Sequence, residues 1–366
     1  EVVKNDLTEQ YTNMKENQPY EHVLMSSFEG LYQSKWTYDQ YAQVIEDVNF
    51  EMLSTFIPQY ILCLKAEFLM IGNMIESEAL DLADKTEEIL FGERENRLFK
   101  HRAPLPTQLP MERIVILDEN KDYLIQKPVP SQNVENSAIE IVYQIGLRNL
   151  KQDVTLDLLA QMISTPFYSQ LRTVEQLGYL VFTRARRDNN INSFSIIIQS
   201  DSKTPPFIKA RSDLFIQQFY EVLKQTSDEE IGHHIGGLRA TIEEKDKHLK
   251  DEATRFWREV MARQYLFDRV QRKLEVLSTI SKQDLIEFYE TYLLLSSPKC
   301  RRMIIQYFSQ KHGGVPTTEN RQPLIEENSL SDTEREAFMT REPELVPPVI
   351  AEWKAGMSFY PGFIKY

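Results

Sequence analysis

The chain has 366 residues, 42% hydrophobic and 27% charged, and its 55 acidic and 42 basic side chains give a formal net charge of -13. That is more chain than one hydrophobic core usually serves, so the expectation is two domains with extensions. The acidic balance argues against a phosphate backbone, so no nucleic acid is expected as partner, while a neutral or basic peptide stays open.

No apolar run approaches the length of a membrane span, so no membrane partner is expected either. Cys63 and Cys300 are far apart and in no ligand spacing, and they read as buried thiols of a reducing, cytoplasmic setting. The opening EVVKND, with neither an initiator methionine nor a signal peptide, reads as an excerpt of something longer.

Residues 1–110 read as mostly helical. YEHVLMSSFEGLYQSK (20–35) suits one helix, and Thr37 with Gln40 forms a capping box opening a second, WTYDQYAQVIEDVNFEMLSTFI. AEFLMIGN (66–73) is a short apolar run expected as a buried strand, and IESEALDLADKTEEILFG a helix stopped at Gly92. A lone strand cannot satisfy its own backbone groups, so this first domain looks incomplete. RAPLPTQLP (102–110) is the expected boundary.

A second domain is expected over 111–309. RIVILDENKDYLIQKP suggests a hairpin or two neighbouring strands, NSAIEIVYQIG (136–146) a strand, and VTLDLLAQMIS a helix. Thr165 and Pro166 read as an N-cap and first-turn proline restarting the chain as PFYSQLRTVEQL, with Gly178 as the stop. YLVFTRAR and SFSIIIQS, joined through DNNIN, pair as an antiparallel hairpin. Thr204–Pro205 opens a long helix, Ser227 with Glu230 caps the next, and Ser281 with Asp284 opens the last of the charged helices filling 228–295. KCRRMIIQYFS (299–309) returns as a strand. The fold class is α+β, a largely antiparallel sheet with helices packed on one face. Residues 310–366 read as a loose linker, with a tail docking through Trp353 and Phe359.

Catalytic motifs are lacking. QPYEHV (18–23) has the shape of H-x-x-E-H with Gln18 in the first histidine's place, and a neutral amide is a poor zinc ligand. Adjacent His233 and His234 point about 100° apart on a helix, and His248 has no carboxylate at ligand spacing. No metal site, phosphate loop, dinucleotide fingerprint or serine elbow is expected in this chain. Arg172 and Tyr179, seven apart around the helix-to-strand corner, admit two readings. Either they pack locally, with Arg172 paired to Glu175 or Glu140, or they touch something outside the chain.

STPFYSQLRTVEQLGYLVF (164–182) closely resembles the fourth-domain segment of the insulin-degrading enzyme family, the pitrilysin-type inverted-zinc-motif metalloproteases. The match runs through Tyr168, Leu171, Arg172, Thr173, Glu175, Gln176, Leu177, Gly178, Tyr179, Val181 and Phe182. NQPYEHVLMSSFEGLYQSKWTYDQ, FIPQYILCLKAEFLMIGN, ENSAIEIVYQIG, SFSIIIQS, FWREVMARQYLFDR and VIAEWKAGMSFYP resemble further landmarks in the right order.

The resemblance implies the non-catalytic half of a peptide-degrading zinc endopeptidase, built of α/β rolls: the end of a third domain (1–110) and a complete fourth (111–309). Zinc and H-x-x-E-H would belong to an amino-terminal catalytic half, the main partner, with peptide substrates enclosed between the halves. By the same resemblance Tyr179 would hydrogen-bond the transition state, and Arg172 and Tyr168 would bind substrate. A zinc-free peptide-binding or regulatory paralogue is the alternative, and a homo-oligomer stays open. The family's serine-glycine after the phenylalanine is Thr183-Arg184 here, leaving Arg184, Arg186 and Arg187 either as a solvated strand end or as a basic patch for anions or peptide tails.

Overall fold

The computed structural model of the chain describes residues 1–91, 108–109, 112–316 and 341–362. Helix α1 (Val2–Asn13) leads to α2 (Pro19–Leu31), which starts on its first-turn proline and buries Val23, Ser26, Ser27 and Leu31. The capping box of Thr37 and Gln40 opens α3 (Tyr38–Asp47). The single long helix expected there is two. Asn49 sits in extended backbone, accepts a hydrogen bond from the Met52 amide, and starts α4 (Phe50–Leu62) afresh.

Residues 66–73 form no strand. The run is irregular and half-buried at most, because no neighbouring strand among the described residues offers it hydrogen bonds. Helix α5 follows (Glu76–Phe91); the stop expected at Gly92 and most of the boundary at 102–110 lie outside the described residues. Cys63, expected buried, is exposed, since it ends a helix that is itself exposed; Cys300 is buried.

Strands β1 (Val115–Ile116) and β2 (Asp122–Pro128) precede β3 (Ser137–Leu147) and helix α6 (Leu150–Phe167). Strands β4 (Leu180–Asp188) and β5 (Ile191–Ser200) are followed by α7 (Pro205–Gln225), α8 (Asp228–Glu243), α9 (Leu249–Met261), α10 (Arg269–Leu277) and α11 (Lys282–Tyr292). Then come β6 (Arg302–Phe308), β7 (Glu344–Leu345), α12 (Ile350–Ala355) and β8 (Ser358–Phe359).

Six strands form one mixed sheet in the order β4-β5-β3-β6-β2-β7. The pairs from β4 to β6 are antiparallel, whereas β2 runs parallel to β6 and β7. The hairpin β4–β5 turns at Asn189 and Asn190, with φ of 41° and 68°. Asparagine tolerates that left-handed backbone, and such a two-residue turn matches the twist of the strands. β1 and β2 are not a hairpin, because β1 pairs instead with β8 in a separate two-stranded ribbon.

Alternation along β3 explains the two layers that cover the sheet. Ile139, Ile141, Tyr143 and Ile145 join the core with Leu158 of α6, Phe215 of α7 and Leu285 of α11. Ala138 and Val142 face the other way, into a core with Val23 and Leu31 of α2 and Ile350 of α12. There Trp353 meets the Tyr123 ring edge-on, with centroids 5.1 Å apart, and Phe359 packs on the same core.

The centre of one charge cluster is wholly buried between the sheet and α7. Arg302 holds Asp122 of β2 and Asp213 of α7, with the Tyr143 hydroxyl 3.1 Å away. Arg341 joins from outside at 3.2 Å from Asp122, and Lys209 reaches Asp213 at 2.7 Å. Burial opposes ionisation of Asp213, but Arg302 and Lys209 outweigh it and hold its pKa below the usual carboxylate range.

Candidate functional site

The restart expected at Thr165–Pro166 does not occur. α6 runs straight through Pro166 because Phe167 and Leu171, both fully buried, keep the chain pinned to the core. Residues Tyr168–Val174 then widen into a π-helical turn, in which the Glu175 amide reaches the Gln170 carbonyl. Turns of this kind collect at functional sites, since they rotate side chains out of the regular helical register.

Nor is Gly178 the stop. Gln176 takes the left-handed conformation, φ 52°, while Gly178 serves a close approach. A Cβ at 178 would lie 2.0 Å from the Gln199 carbonyl oxygen of β5. That contact clamps the corner to the sheet and throws Tyr179 outward, leaving it 87% exposed.

The Arg172 guanidinium carbon stands 5.5 Å from the centre of the Tyr179 ring, a cation–π pair between a half-buried cation and an exposed ring. Neither suggested carboxylate partner pairs with Arg172. Glu175 is gripped by Arg211 at 2.7 and 2.9 Å, and Glu140 by Arg186 at 3.1 Å and Ser195 at 2.6 Å. Arg172 makes no ion pair among the described residues, and its Nε is buried without a hydrogen-bond partner there. Tyr168, 49% exposed, lies on the same π turn. Arg172, Tyr179 and Tyr168 thus share one segment, with both phenols open to solvent and the guanidinium half-buried between chain and solvent.

The structure does not gather Arg184, Arg186 and Arg187 into one patch. Neighbours on a strand point to opposite faces, so Arg187 turns to α6 and pairs with Asp157. Arg186 is buried beneath α2, bonded to Asp188, Ser27 and Glu140 and stacked 4.7 Å from the Phe28 ring centre. Burial works against its charge, but Glu140 and Asp188 prevail and raise its pKa. Arg184 stays partly exposed, 3.7 Å from Glu140.

Among the described residues, no three His, Cys, Asp or Glu side chains are placed to hold a metal ion. Gln18 bonds Gln199, and His22 stacks on Tyr307 with ring centres 5.6 Å apart. Burial pushes the His22 pKa down, and His312 is taken by Ser137 at 2.6 Å. These donors do not fit zinc. Sequence reading missed the Glu175–Arg211 clasp, which braces the π turn from α7. Its 36-residue separation carries no local signal.

A mixed sheet enclosed by helices in this order is the fold of a pitrilysin-type peptidase. The solved structure of pitrilysin superposes on 99% of this chain and 35% of its own, with a TM-score of 0.77 and 17% identity. A peptidase M16 inactive domain from Pseudomonas fluorescens matches 84% of this chain and 70% of its own, at a TM-score of 0.54 and 16% identity. At such identities these likenesses speak for fold alone.

Sequence carries the relation further. The chain is 29% identical over 362 residues to Homo sapiens insulin-degrading enzyme, covering 99% of this chain and 34% of that protein. It is 30% identical over 310 residues to an Arabidopsis thaliana nardilysin-like protein, covering 83% and 29%. Residues 158–257 match the family described as PQQ synthase PqqF-like, C-terminal lobe domain 4. The chain is homologous to the insulin-degrading enzyme and nardilysin group and corresponds to part of the carboxy-terminal half of such a peptidase. It spans about a third of the length of these relatives. No helix among the described residues is long and apolar enough to cross a membrane.

Proposed function

We propose that this chain is the non-catalytic half of a cytoplasmic zinc metalloendopeptidase, closing a peptide chamber and presenting Arg172 and Tyr179 to substrate. The metal and its ligands belong to an amino-terminal catalytic partner. The carrying observation is the pair itself: a phenol 87% open to solvent beside a half-buried cation with no ion-pair partner among the described residues. Attack on a peptide bond builds negative charge on the scissile carbonyl oxygen, and the Tyr179 hydroxyl can donate a hydrogen bond to it. The forked donors of Arg172 fit the carbonyls of a bound peptide and would fix its register, with Tyr168 lining the same wall.

The test is complementation. This chain, mixed with a matching catalytic half, should cleave a medium-sized peptide, and Tyr179→Phe should lower kcat about 100- to 1000-fold while leaving folding unchanged. Equal turnover in the mutant would remove the transition-state role. Peptide binding without hydrolysis in any mixture would instead favour a zinc-free peptide-binding subunit.

A further inference from the structure

The corner that carries Arg172 and Tyr179 is not the conformation its own residues prefer. Pro166 lies inside the helix that leads into it, the turn at Tyr168–Val174 is π-helical, and Gln176 holds φ at 52°. Each feature is uncommon in a chain left to itself, and such backbone persists only where its surroundings hold it. Phe167, Leu171 and Leu177 hold it from the apolar side, all three buried in the core.

Glu175 holds it from the polar side, standing three residues after Arg172 and four before Tyr179. Its amide donates to the Gln170 carbonyl at 2.9 Å and closes the wide turn, while its carboxylate accepts from the Gln170 side chain at 2.9 Å. The Leu177 amide then reaches the Leu171 carbonyl at 2.9 Å. The same carboxylate receives Nε and Nη2 of Arg211 at 2.7 and 2.9 Å, a forked and largely buried pair. Arg211 is a firm anchor because its helix, α7, is itself tied down. One turn further on, Phe215 meets the Phe167 ring edge-on with centroids 5.0 Å apart. Asp213 of that helix is locked to Arg302 and Lys209.

We infer that Glu175 and Arg211 are the positioning residues of this corner: their clasp keeps the turn in its wide register and so sets where Arg172 and Tyr179 point. Without it the Glu175 amide can return to the Leu171 carbonyl, the ordinary helical partner four residues back. That shift of one residue turns everything beyond it by about 100° and carries Tyr179 away from Arg172. The clasp acts on substrate only through those two side chains. Its effect on turnover rests on the functional reading above, whereas its hold on the turn does not.

Two measurements on Arg211→Met test it. In the 366-residue chain, hydrogen exchange by NMR should show the Glu175 and Leu177 amides opening about tenfold faster, with those of β3 unchanged. Arg211→Lys, which keeps the charge and loses the fork, should fall between Met and wild type. Mixed with the catalytic half, Arg211→Met should lower kcat about thirtyfold, but less than about threefold where Tyr179 is already Phe, since groups that act as a unit are not lost twice. Unchanged exchange at 175 and 177 would overturn the inference, because the apolar anchors alone would then hold the turn. Where Tyr179→Phe itself is slow, so would an Arg211→Met kcat that is undiminished or that falls equally in both backgrounds. If the β3 amides also speed up, Glu175→Gln, which keeps the shape and removes the charge, takes the place of Arg211→Met under the same criteria. Faster exchange at the turn joined to full turnover in Tyr179→Phe would sink the functional reading and keep the clasp. A slow Tyr179→Phe with unchanged exchange in Arg211→Met would do the reverse.

Discussion

Helices α4 and α5 are no less apolar in sequence than the sheet region 112–316, yet the two have opposite fates. In the sheet region every large core side chain has another element against it, and even the guanidinium of Arg302 is out of water. On α4 and α5, Phe50 and Ile89 are each 84% exposed, and Met52, Phe56, Tyr60 and Leu80 are more than half exposed. An apolar stripe makes a helix amphipathic, but it stabilises nothing until another surface covers it. The comparison teaches that stability in this chain is concentrated around β3 and β6 and drains away towards residues 37–91.

The comparison can be broken most severely at Arg302. Arg302→Ala leaves Asp122 and Asp213 buried with only Arg341 and Lys209 to answer them, and should cost about 3–5 kcal/mol in urea denaturation. A loss under about 1 kcal/mol would mean that water reaches the cluster. Gly178→Ala comes next: its Cβ meets backbone at 2.0 Å, so β5 or the corner must move, for about 1–3 kcal/mol. Phe50→Ser should change stability by less than about 0.5 kcal/mol, since that ring is already in water. A much larger loss would reveal a surface that covers α4 in solution.

The smallest effect is a pH dependence at the start of α11. Asp284, bonded to Lys151 and to the hydroxyl and amide of Ser281, has its pKa lowered to about 2. A carboxyl depressed on folding contributes stability above its unfolded pKa and loses it as pH falls through the folded value. The wild-type advantage over Asp284→Asn should therefore fade between about pH 4 and pH 2. A carboxyl carbon titrating near pH 4 by NMR would remove the bond to Lys151 from the account.

Local chemistry was legible in the sequence and long-range pairing was not. The asparagine turn of β4–β5, the Thr37–Gln40 and Ser281–Asp284 caps and the strand at 137–147 follow from residue type and spacing. The partner of β1 lies more than 240 residues away, and nothing in RIVILDENKDYLIQKP announces it. At the candidate site, resemblance pointed to Arg172 and Tyr179, while the path of the chain between them was misread. Pro166 looked like a helix start because proline favours first turns, yet tertiary packing of Phe167 overrode that preference. Gly178 looked like a helix stop, although its missing side chain answers to Gln199, a residue on another strand. The three arginines looked like a cluster because proximity in sequence says nothing of which face of a strand each one takes.

Lys354 of α12 gives the architecture a last consequence. Its ammonium donates to the carbonyls of Glu29, Tyr32 and Gln33, so a residue more than 300 positions downstream finishes the α2 terminus. Those oxygens would otherwise need solvent at a place where the helix is pressed against protein. Early and late parts of the polypeptide thereby share one fastening. A ribosome must release the last of these residues before the first helix is fully secured.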